Sequence, residues 1–160
     1  MIFVTTGWNQ PFDRLIRAVD DWAYSHQRSD LFAQIGNGTY LPSQFPWVRE
    51  LDPPAFEQSI EESALVISHA GMGNLINALR HKKPIILLPR RADLHEMTTD
   101  HQLDAVQWLK RLHGVWVCES EIELPLVINR VLERPLNVPD EIGHSELDRL
   151  IEKIKAFIGD

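Results

Sequence analysis

The sequence predicts an α/β protein with a Rossmann-like, doubly wound and mainly parallel sheet in a single domain. Short apolar runs alternate along the chain with longer segments whose apolar residues recur at helical spacing. Strands that are apolar throughout, rather than at every second residue, are typical of a parallel sheet covered by helices on both faces. Right-handed crossovers then give a doubly wound sheet, whose ligands bind outside the carboxyl ends of the strands.

Three strands are predicted in the first half of the chain, at residues 2–6, 31–35 and 47–51. The helix predicted at 12–24 has apolar residues three and four positions apart, which is the spacing of one helix face. Gly36-Asn37-Gly38 ends the second strand in a turn. Pro53-Pro54 opens a helix over 55–62, because proline is tolerated in the first turn of a helix.

The second half of the chain repeats this pattern, with strands predicted at residues 64–68, 84–88 and 114–118. The helices between and after them are predicted at residues 73–81, 98–112, 121–133 and 145–158. The last helix carries an apolar stripe, which either packs on the sheet or docks on a partner subunit. Segments between these elements are predicted to be mobile, at residues 40–45, 90–99 and 135–144.

The composition is that of an ordinary globular protein, with 44% hydrophobic and 24% charged residues among 160. The net charge of −7 argues against a broad nucleic-acid-binding surface, which needs clustered lysine and arginine. The single cysteine, Cys118, excludes a disulfide within the chain and favours a reducing compartment. No apolar stretch approaches the roughly 20 residues that span a bilayer. The start, Met1-Ile2-Phe3-Val4, lacks the basic region of a signal peptide.

The strongest local signal is Ser68-His69-Ala70-Gly71-Met72-Gly73-Asn74, which follows a buried strand and begins a helix. Glycines let the backbone approach a ligand closely, and a helix N-terminus offers free N–H groups and the positive end of the helix dipole. A phosphate or diphosphate fits this place, and a tight turn without a ligand is the alternative. His69 is then either a functional group at the ligand edge or a hydrogen-bonded structural residue.

Three further polar segments are predicted at the same edge of the sheet. Gly7-Trp8-Asn9-Gln10 follows the first strand, so its backbone can approach a ligand. Pro89-Arg90-Arg91 follows the fifth strand, where its arginines either face a phosphate or an acidic sugar, or are solvated loop charges. Asp100-His101-Gln102 opens the next helix, where the aspartate either caps the helix or joins its neighbours in hydrogen-bonding sugar hydroxyls.

The spacing of the glycines and histidines argues against a dinucleotide site, a P-loop and a metal site. There is neither a third glycine for G-x-G-x-x-G nor a G-K-[ST] run, so the dinucleotide fingerprint and the P-loop are both absent. His95, Glu96 and His101 do not have the spacing of an H-E-x-x-H metal site. The sequence therefore predicts no metal and no cofactor.

Six motifs occur together in an order that resembles one enzyme family. They are Val4-Thr5-Thr6-Gly7, Pro11-Phe12-Asp13-Arg14-Leu15, Gln34-Ile35-Gly36, Val66-Ile67-Ser68-His69-Ala70-Gly71-Met72-Gly73, Lys83-Pro84-Ile85-Ile86-Leu87-Leu88-Pro89-Arg90-Arg91 and Asp100-His101-Gln102. As a set they resemble the C-terminal domain family of the family-28 glycosyltransferases. The likeness is strongest to the PssE-like small soluble subunits of two-chain, MurG-like enzymes of the GT-B fold.

The resemblance implies the donor-binding subunit of a two-chain inverting glycosyltransferase, which moves a hexose from a UDP-sugar to a lipid-linked saccharide in exopolysaccharide or capsule synthesis. A membrane-associated partner would supply the acceptor-binding half and the catalytic base, so the isolated subunit is expected to be inactive. The protein would be cytoplasmic, and its partner would recruit it to the inner face of the plasma membrane. An isolated half-enzyme also exposes its cleft face, which favours self-association.

The same resemblance assigns roles to individual residues. His69 is the expected catalytic group, and Leu51 and Asn77 would contact the nucleoside. The donor diphosphate would be bound by Gly7, Gly71, Met72, Gly73 and Asn74. The donor sugar would be bound by Arg90, Arg91, Asp100, His101 and Gln102.

Three departures from the family pattern leave other functions open. Asn77 replaces the family glutamate that holds the ribose diol, and Trp8 replaces a small hydroxyl residue. Leu94-His95-Glu96-Met97 replaces a Phe-Gly-Glu-His run, so a family histidine is missing or displaced. One alternative is a non-catalytic accessory subunit that enhances a partner glycosyltransferase. Another is a stand-alone epimerase or hydrolase acting on nucleotide-sugars, although the sequence offers no clear acid/base pair for it.

Overall fold

Six parallel strands form one sheet in the computed structural model, which describes residues 1–7, 10–134 and 144–158. The strands are β1 (Ile2–Thr5), β2 (Leu31–Gln34), β3 (Trp47–Val48), β4 (Leu65–His69), β5 (Ile85–Leu88) and β6 (Val115–Val117). Their order in the sheet is β3-β2-β1-β4-β5-β6, and neighbouring strands are parallel throughout. This arrangement confirms the predicted Rossmann-like, doubly wound fold.

Helices cover both faces of the sheet. They are α1 (Asp13–Ser25), α2 (Pro53–Glu62), α3 (Met72–Arg80), α4 (His101–Leu109), α5 (Leu124–Glu133) and α6 (His144–Ile158). Within α6, Ile151 and Ile154 are buried in the core on the α3 face, so this helix packs against α3 in that core. Among the described residues, no helix is long and apolar enough to cross a membrane.

The continuous apolar character of the strands follows from two cores, one on each face. In β1, Ile2 and Val4 join the core formed with α1 and α5, whereas Phe3 points into the core formed with α2, α3, α4 and α6. All three side chains are at most 1% exposed. Because successive side chains of a strand point to opposite faces, a strand between two cores has no polar face.

The two central strands, β1 and β4, place the loops that follow them side by side. Thr5 of β1 is paired in register with Ser68 of β4, so the residues that follow them meet at the carboxyl edge of the sheet. From β1 the chain continues toward β2, whereas from β4 it continues toward β5, so the two loops diverge. Doubly wound sheets bind their ligands at such a switch point, and here Gly7 and His69 lie on its two sides.

The predicted helix over 98–112 is wrong in extent, because α4 begins only at His101 and ends at Leu109. Asp100 occupies the N-cap position but makes no side-chain capping hydrogen bond. Its Oδ1 instead accepts a hydrogen bond from the N–H of Ala92 at 3.0 Å. The carboxylate therefore ties the β5–α4 loop to the helix start, a role that the local sequence does not reveal.

The segment predicted to be mobile at 40–45 is held by a buried carboxylate. Asp20 is 4% exposed. It accepts hydrogen bonds from the hydroxyl of Tyr40 at 2.6 Å and from the N–H groups of Ser43 and Gln44 at 3.1 and 3.0 Å. The hydrogen bond to Asp20 raises the pKa of Tyr40 to about 12. Of the segment predicted to be mobile at 135–144, residues 135–143 lie outside the described residues.

Candidate functional site

The imidazole of His69 lies between two glycines from different loops. A Cβ added at Gly7 would lie 3.0 Å from His69 Nε2, and one added at Gly71 would lie 2.7 Å from the same atom. Gly7 also has a φ of +73°, a conformation that side chains disfavour. Both positions therefore require glycine because any side chain would displace the imidazole or strain the loop.

The other ring nitrogen of His69 faces α4. Nε2 of Gln102 lies 3.2 Å from Nδ1 of His69, and Oε1 of Gln102 accepts a hydrogen bond from the backbone N–H of Arg90 at 2.9 Å. Burial, together with the nearby guanidinium of Arg90, lowers the pKa of His69 to about 3. The imidazole is therefore neutral near pH 7.

Arg90 is a buried cation, so it is not the solvated loop charge that was one of the two alternatives from the sequence. Its side chain is 3% exposed, and its guanidinium donates to the carbonyl oxygens of Thr6, Gln10 and Pro11. It also lies 4.7 Å from the ring centroid of Phe12, within the range of a cation–π contact. Burial lowers its pKa to about 10, so the group remains charged at neutral pH.

The start of α3 supplies free backbone donors beside His69. Gly71 is the N-cap, no side chain caps the helix, and the N–H of Leu75 donates to the carbonyl of Gly71. The N–H groups of the first turn, at Met72, Gly73 and Asn74, therefore precede the helical hydrogen-bond ladder. A Cβ added at Gly73 would meet no atom within 4 Å, so this turn faces open space.

These groups line one cavity of about 370 Å³ at the switch point. The residues around it come from the end of β4, from the starts of α3 and α4, and from the β1–α1, β4–α3 and β5–α4 connections. They are Thr6, Gly7, Gln10, His69, Gly71, Met72, Gly73, Asn74, Arg90, Met97 and Gln102. Within this described lining, Arg90 is the one permanently charged side chain, and no carboxylate is present. A helix N-terminus beside a buried cation in such a cavity favours an anionic ligand.

The family model of the glycosyltransferase family 28 C-terminal domain matches residues 1–152 of this chain. The chain belongs to this family. The recognition made from the six sequence motifs is thereby confirmed.

Curated relatives of this family-28 domain include the human UDP-N-acetylglucosamine transferase subunit ALG13. The chain is 29% identical to that protein over 131 residues, which cover 76% of this chain and 11% of the human protein. The chain therefore spans about a tenth of the length of that relative.

Solved structures show the same fold at low sequence identity. The NMR structure of ALG13 matches with a TM-score of 0.65 and 19% identity, covering 94% of both chains. MurG from Acinetobacter baumannii matches with a TM-score of 0.58 and 14% identity, covering 96% of this chain and 43% of MurG. The domain thus has the fold of one half of a GT-B enzyme.

Eight of the predicted site residues line the cavity of this family-28 domain. Those that line the cavity are Gly7, His69, Gly71, Met72, Gly73, Asn74, Arg90 and Gln102. Asn74 is partly turned inward, because its Nδ2 donates to Ser68 Oγ at 2.9 Å. Trp8 and the side chain of His101 lie outside the described residues.

The predicted nucleoside contacts and two of the predicted sugar contacts do not line this cavity. Leu51 packs against the core on the α3 side, and Asn77 is half-buried in the middle of α3. Arg91 pairs with Asp93 at 2.7 Å, and Asp100 is held by the backbone N–H of Ala92. Their roles toward a nucleotide-sugar stay predictions.

Glu96, which was weighed above as a metal ligand, belongs to a half-buried ion-pair network. It accepts from the guanidinium of Arg14 at 2.9 Å through both carboxylate oxygens and from the N–H of Arg91 at 3.0 Å. Arg14 also pairs with Glu121 at 2.9 Å and donates to the carbonyl of Pro89. The network anchors the β5–α4 loop, so Glu96 has a structural role.

One cluster of potential metal ligands occurs among the described residues, and it lies on helices α2 and α3. His81 directs Nε2 toward Glu57 at 3.2 Å and Nδ1 toward Glu61 at 3.6 Å. Because its two nitrogens face different carboxylates, this is the geometry of a surface ion pair. The expectation of a metal-independent site stays a prediction.

Sequence reasoning missed Met97 and the link between Arg90 and the loop after β1. Met97 lies in a segment without periodicity, so no local signal places it at the cavity. The residue types of Arg90 and Gln102 were noted, but their partners are up to 84 positions away along the chain. Only the assembled sheet brings these groups together.

Proposed function

We propose that this chain is the donor-binding subunit of a glycosyltransferase and that the cavity between Gly7 and Gly71 binds the diphosphate of a UDP-sugar. The observation that carries the proposal is the convergence of three anion-binding elements on one crevice. These elements are the uncapped start of α3, the imidazole of His69 and the buried guanidinium of Arg90. Family membership supplies the reaction class.

In an inverting transfer, the acceptor oxygen attacks the anomeric carbon while the bond from that carbon to the diphosphate breaks. Negative charge then grows on the diphosphate oxygen that leaves. Donors that are already in place at that oxygen stabilise the transition state without having to reorganise. The N–H groups of Met72 and Gly73 and the charge of Arg90 would fill this role.

A proton acceptor for the attacking hydroxyl has to come from elsewhere. With a pKa of about 3, His69 is too weak a base to remove a proton from a hydroxyl near pH 7. Within the described residues, the lining of the cavity contains no carboxylate that could do so. We therefore propose that His69 acts on the leaving diphosphate and that a partner chain supplies the base.

A partner is also favoured by the relative ALG13, which is itself named as a transferase subunit. We propose that a second chain provides the acceptor-binding half and brings this subunit to a lipid-linked acceptor at the membrane. Exopolysaccharide or capsule synthesis stays a prediction, whereas UDP-N-acetylglucosamine is the first donor to test.

The diphosphate site is tested by adding one negative charge at Gly73. Gly73→Asp has room for its side chain, and an acidic residue in the first turn of a helix is favourable, so the fold should be slightly stabilised. The same carboxylate would repel a diphosphate and weaken its binding roughly tenfold to hundredfold. Titration calorimetry with UDP and UDP-N-acetylglucosamine measures the loss.

The matched control is Gly73→Asn, which has the same size without the charge. The proposal expects the asparagine variant to retain more affinity than the aspartate variant, while both melt at or above the wild-type temperature. Equal affinities in both variants and the wild type would place the diphosphate elsewhere. Sugar transfer is then assayed with and without the partner chain, and turnover by the isolated chain would support the stand-alone enzyme.

A further inference from the structure

The nitrogen that His69 presents to the cavity is Nε2. A Cβ added at Gly7 would lie 3.0 Å from Nε2, whereas one added at Gly71 would lie 2.7 Å from Nε2 and 2.9 Å from Nδ1. The contact with Gly7 therefore identifies Nε2 as the ring nitrogen at the gap between the two loops. Nδ1, on the other side of the ring, faces Gln102. A hydrogen bond from His69 to an anionic oxygen in the cavity therefore requires that the proton of the neutral ring be on Nε2.

We propose that Gln102 is a positioning residue that fixes His69 as the tautomer carrying its proton on Nε2, rather than a residue that contacts the donor sugar. The tautomer assignment stands on the geometry of the protein alone. Its consequence for ligand binding rests on the proposed diphosphate site.

The orientation of the Gln102 amide decides the tautomer. Its Oε1 accepts the N–H of Arg90 at 2.9 Å, which leaves its NH₂ group facing Nδ1 of His69 at 3.2 Å. A flipped amide would set its NH₂ group against the N–H of Arg90, leaving two donors facing each other in a buried place. An amide NH₂ can only donate, so Nδ1 has to accept and the ring proton has to be on Nε2.

The same contact opposes protonation of His69. A second ring proton would have to bind Nδ1, where it would face the NH₂ group of Gln102. Gln102 would favour the charged ring only if its oxygen faced Nδ1, and that oxygen is already held by Arg90. The charged group that faces His69 across the described cavity lining is the guanidinium of Arg90, which also disfavours a second positive charge. His69 is therefore a neutral donor over a wide pH range.

The tautomer is measured directly by nitrogen-15 NMR of the histidine rings in the ligand-free protein. In the wild type, the His69 signals should show a protonated Nε2 and an unprotonated Nδ1 from about pH 5.5 to 8. Gln102→Glu keeps one oxygen for the N–H of Arg90 and places a second acceptor at Nδ1. In this variant the proton should move to Nδ1, and the ring should gain a second proton as the pH falls.

Ligand binding then provides the functional readout. UDP-N-acetylglucosamine is the probe, because its diphosphate is esterified at both ends and does not titrate in this range. Wild-type affinity should be constant from about pH 5.5 to 8. Gln102→Glu should bind at least about tenfold more weakly at pH 8, where Nε2 is unprotonated, and should recover affinity at pH 5.5, where Nε2 regains its proton.

Met97→Glu is the control for added charge, because Met97 lines the same cavity, whereas Nδ1 of His69 faces Gln102. It should weaken binding without moving the His69 proton and without recovery at pH 5.5. A proton on Nδ1 in the wild type would overturn the proposal, and this measurement needs no variant. An unchanged tautomer in folded Gln102→Glu would also overturn it. If the tautomers are as expected but the wild type binds no UDP-sugar, the assignment stands and the proposed function fails.

Discussion

The neutral, half-buried imidazole of His69 should make the stability of the fold depend on pH. Its pKa is about 3 in the folded protein against 6.5 for an unperturbed histidine. Below pH 6.5 the unfolded chain binds a proton at this residue that the folded protein does not bind. The stabilisation is therefore complete above pH 6.5 and is lost progressively as the pH falls toward 3.

The size of the effect follows from the two pKa values. Between pH 7.5 and pH 5, the unfolded histidine becomes almost fully protonated while folded His69 stays neutral. Because the unfolded chain binds this proton and the folded protein does not, the free energy of unfolding falls by about 2 kcal/mol over this interval. For a domain with an ordinary total stability of about 5–15 kcal/mol, such a loss is readily measured.

Urea unfolding at pH 7.5 and pH 5 measures this loss in the wild type and in His69→Gln. Glutamine can occupy the slot between Gly7 and Gly71 but does not titrate, and the other ionisable groups contribute equally to both proteins. The wild type should therefore lose about 2 kcal/mol more than the variant between the two pH values. Equal losses would mean that His69 has an ordinary pKa, and the argument for a neutral imidazole at the cavity would fail.

Two other perturbations test the contacts that hold the loops around the sheet. Arg14→Gln leaves the half-buried carboxylate of Glu96 without its ion-pair partner and should cost about 2 kcal/mol. Arg28→Gln, in an exposed pair, should cost under about 1 kcal/mol by the same denaturant measurement. Asp20→Ala leaves several donors of the 40–44 segment unpaired and should cost about 2–3 kcal/mol. Limited proteolysis should then cut within 40–44, and resistance there would show that other contacts hold the loop.

The sheet was predictable because each strand carries its own signal. Residues 64–68 and 84–88 are apolar runs, and two buried faces require such runs in a parallel sheet. Helix boundaries were less accurate where a polar side chain has a distant partner. The start of α4 illustrates this, because the carboxylate of Asp100 accepts a hydrogen bond from the N–H of Ala92 rather than from the first turn of its own helix.

The candidate site was predictable only in part, for a related reason. The glycine loop before α3 is contiguous in sequence, so its residue types and its position after a strand were sufficient to indicate an anion site. Arg90 and Gln102 were assigned to a sugar because both residue types can bind hydroxyls or acids. In the fold, Arg90 donates hydrogen bonds to carbonyl groups about 80 positions earlier in the chain, and Gln102 faces His69. No local pattern distinguishes a ligand-binding polar residue from one that supports another polar residue.

A net charge of −7 is compatible with an anionic ligand, because the surface charges and the charges inside the cavity act over different distances. Carboxylates on the surface are screened beyond about 8–10 Å at physiological ionic strength, whereas groups inside a cavity are screened much less. The described lining of this cavity contains Arg90 and the start of α3 but no carboxylate. The local potential at the crevice is thus set by a buried cation and a helix dipole. An acidic protein with this arrangement would repel an extended polyanion and would still be able to bind the single diphosphate that we propose as its ligand.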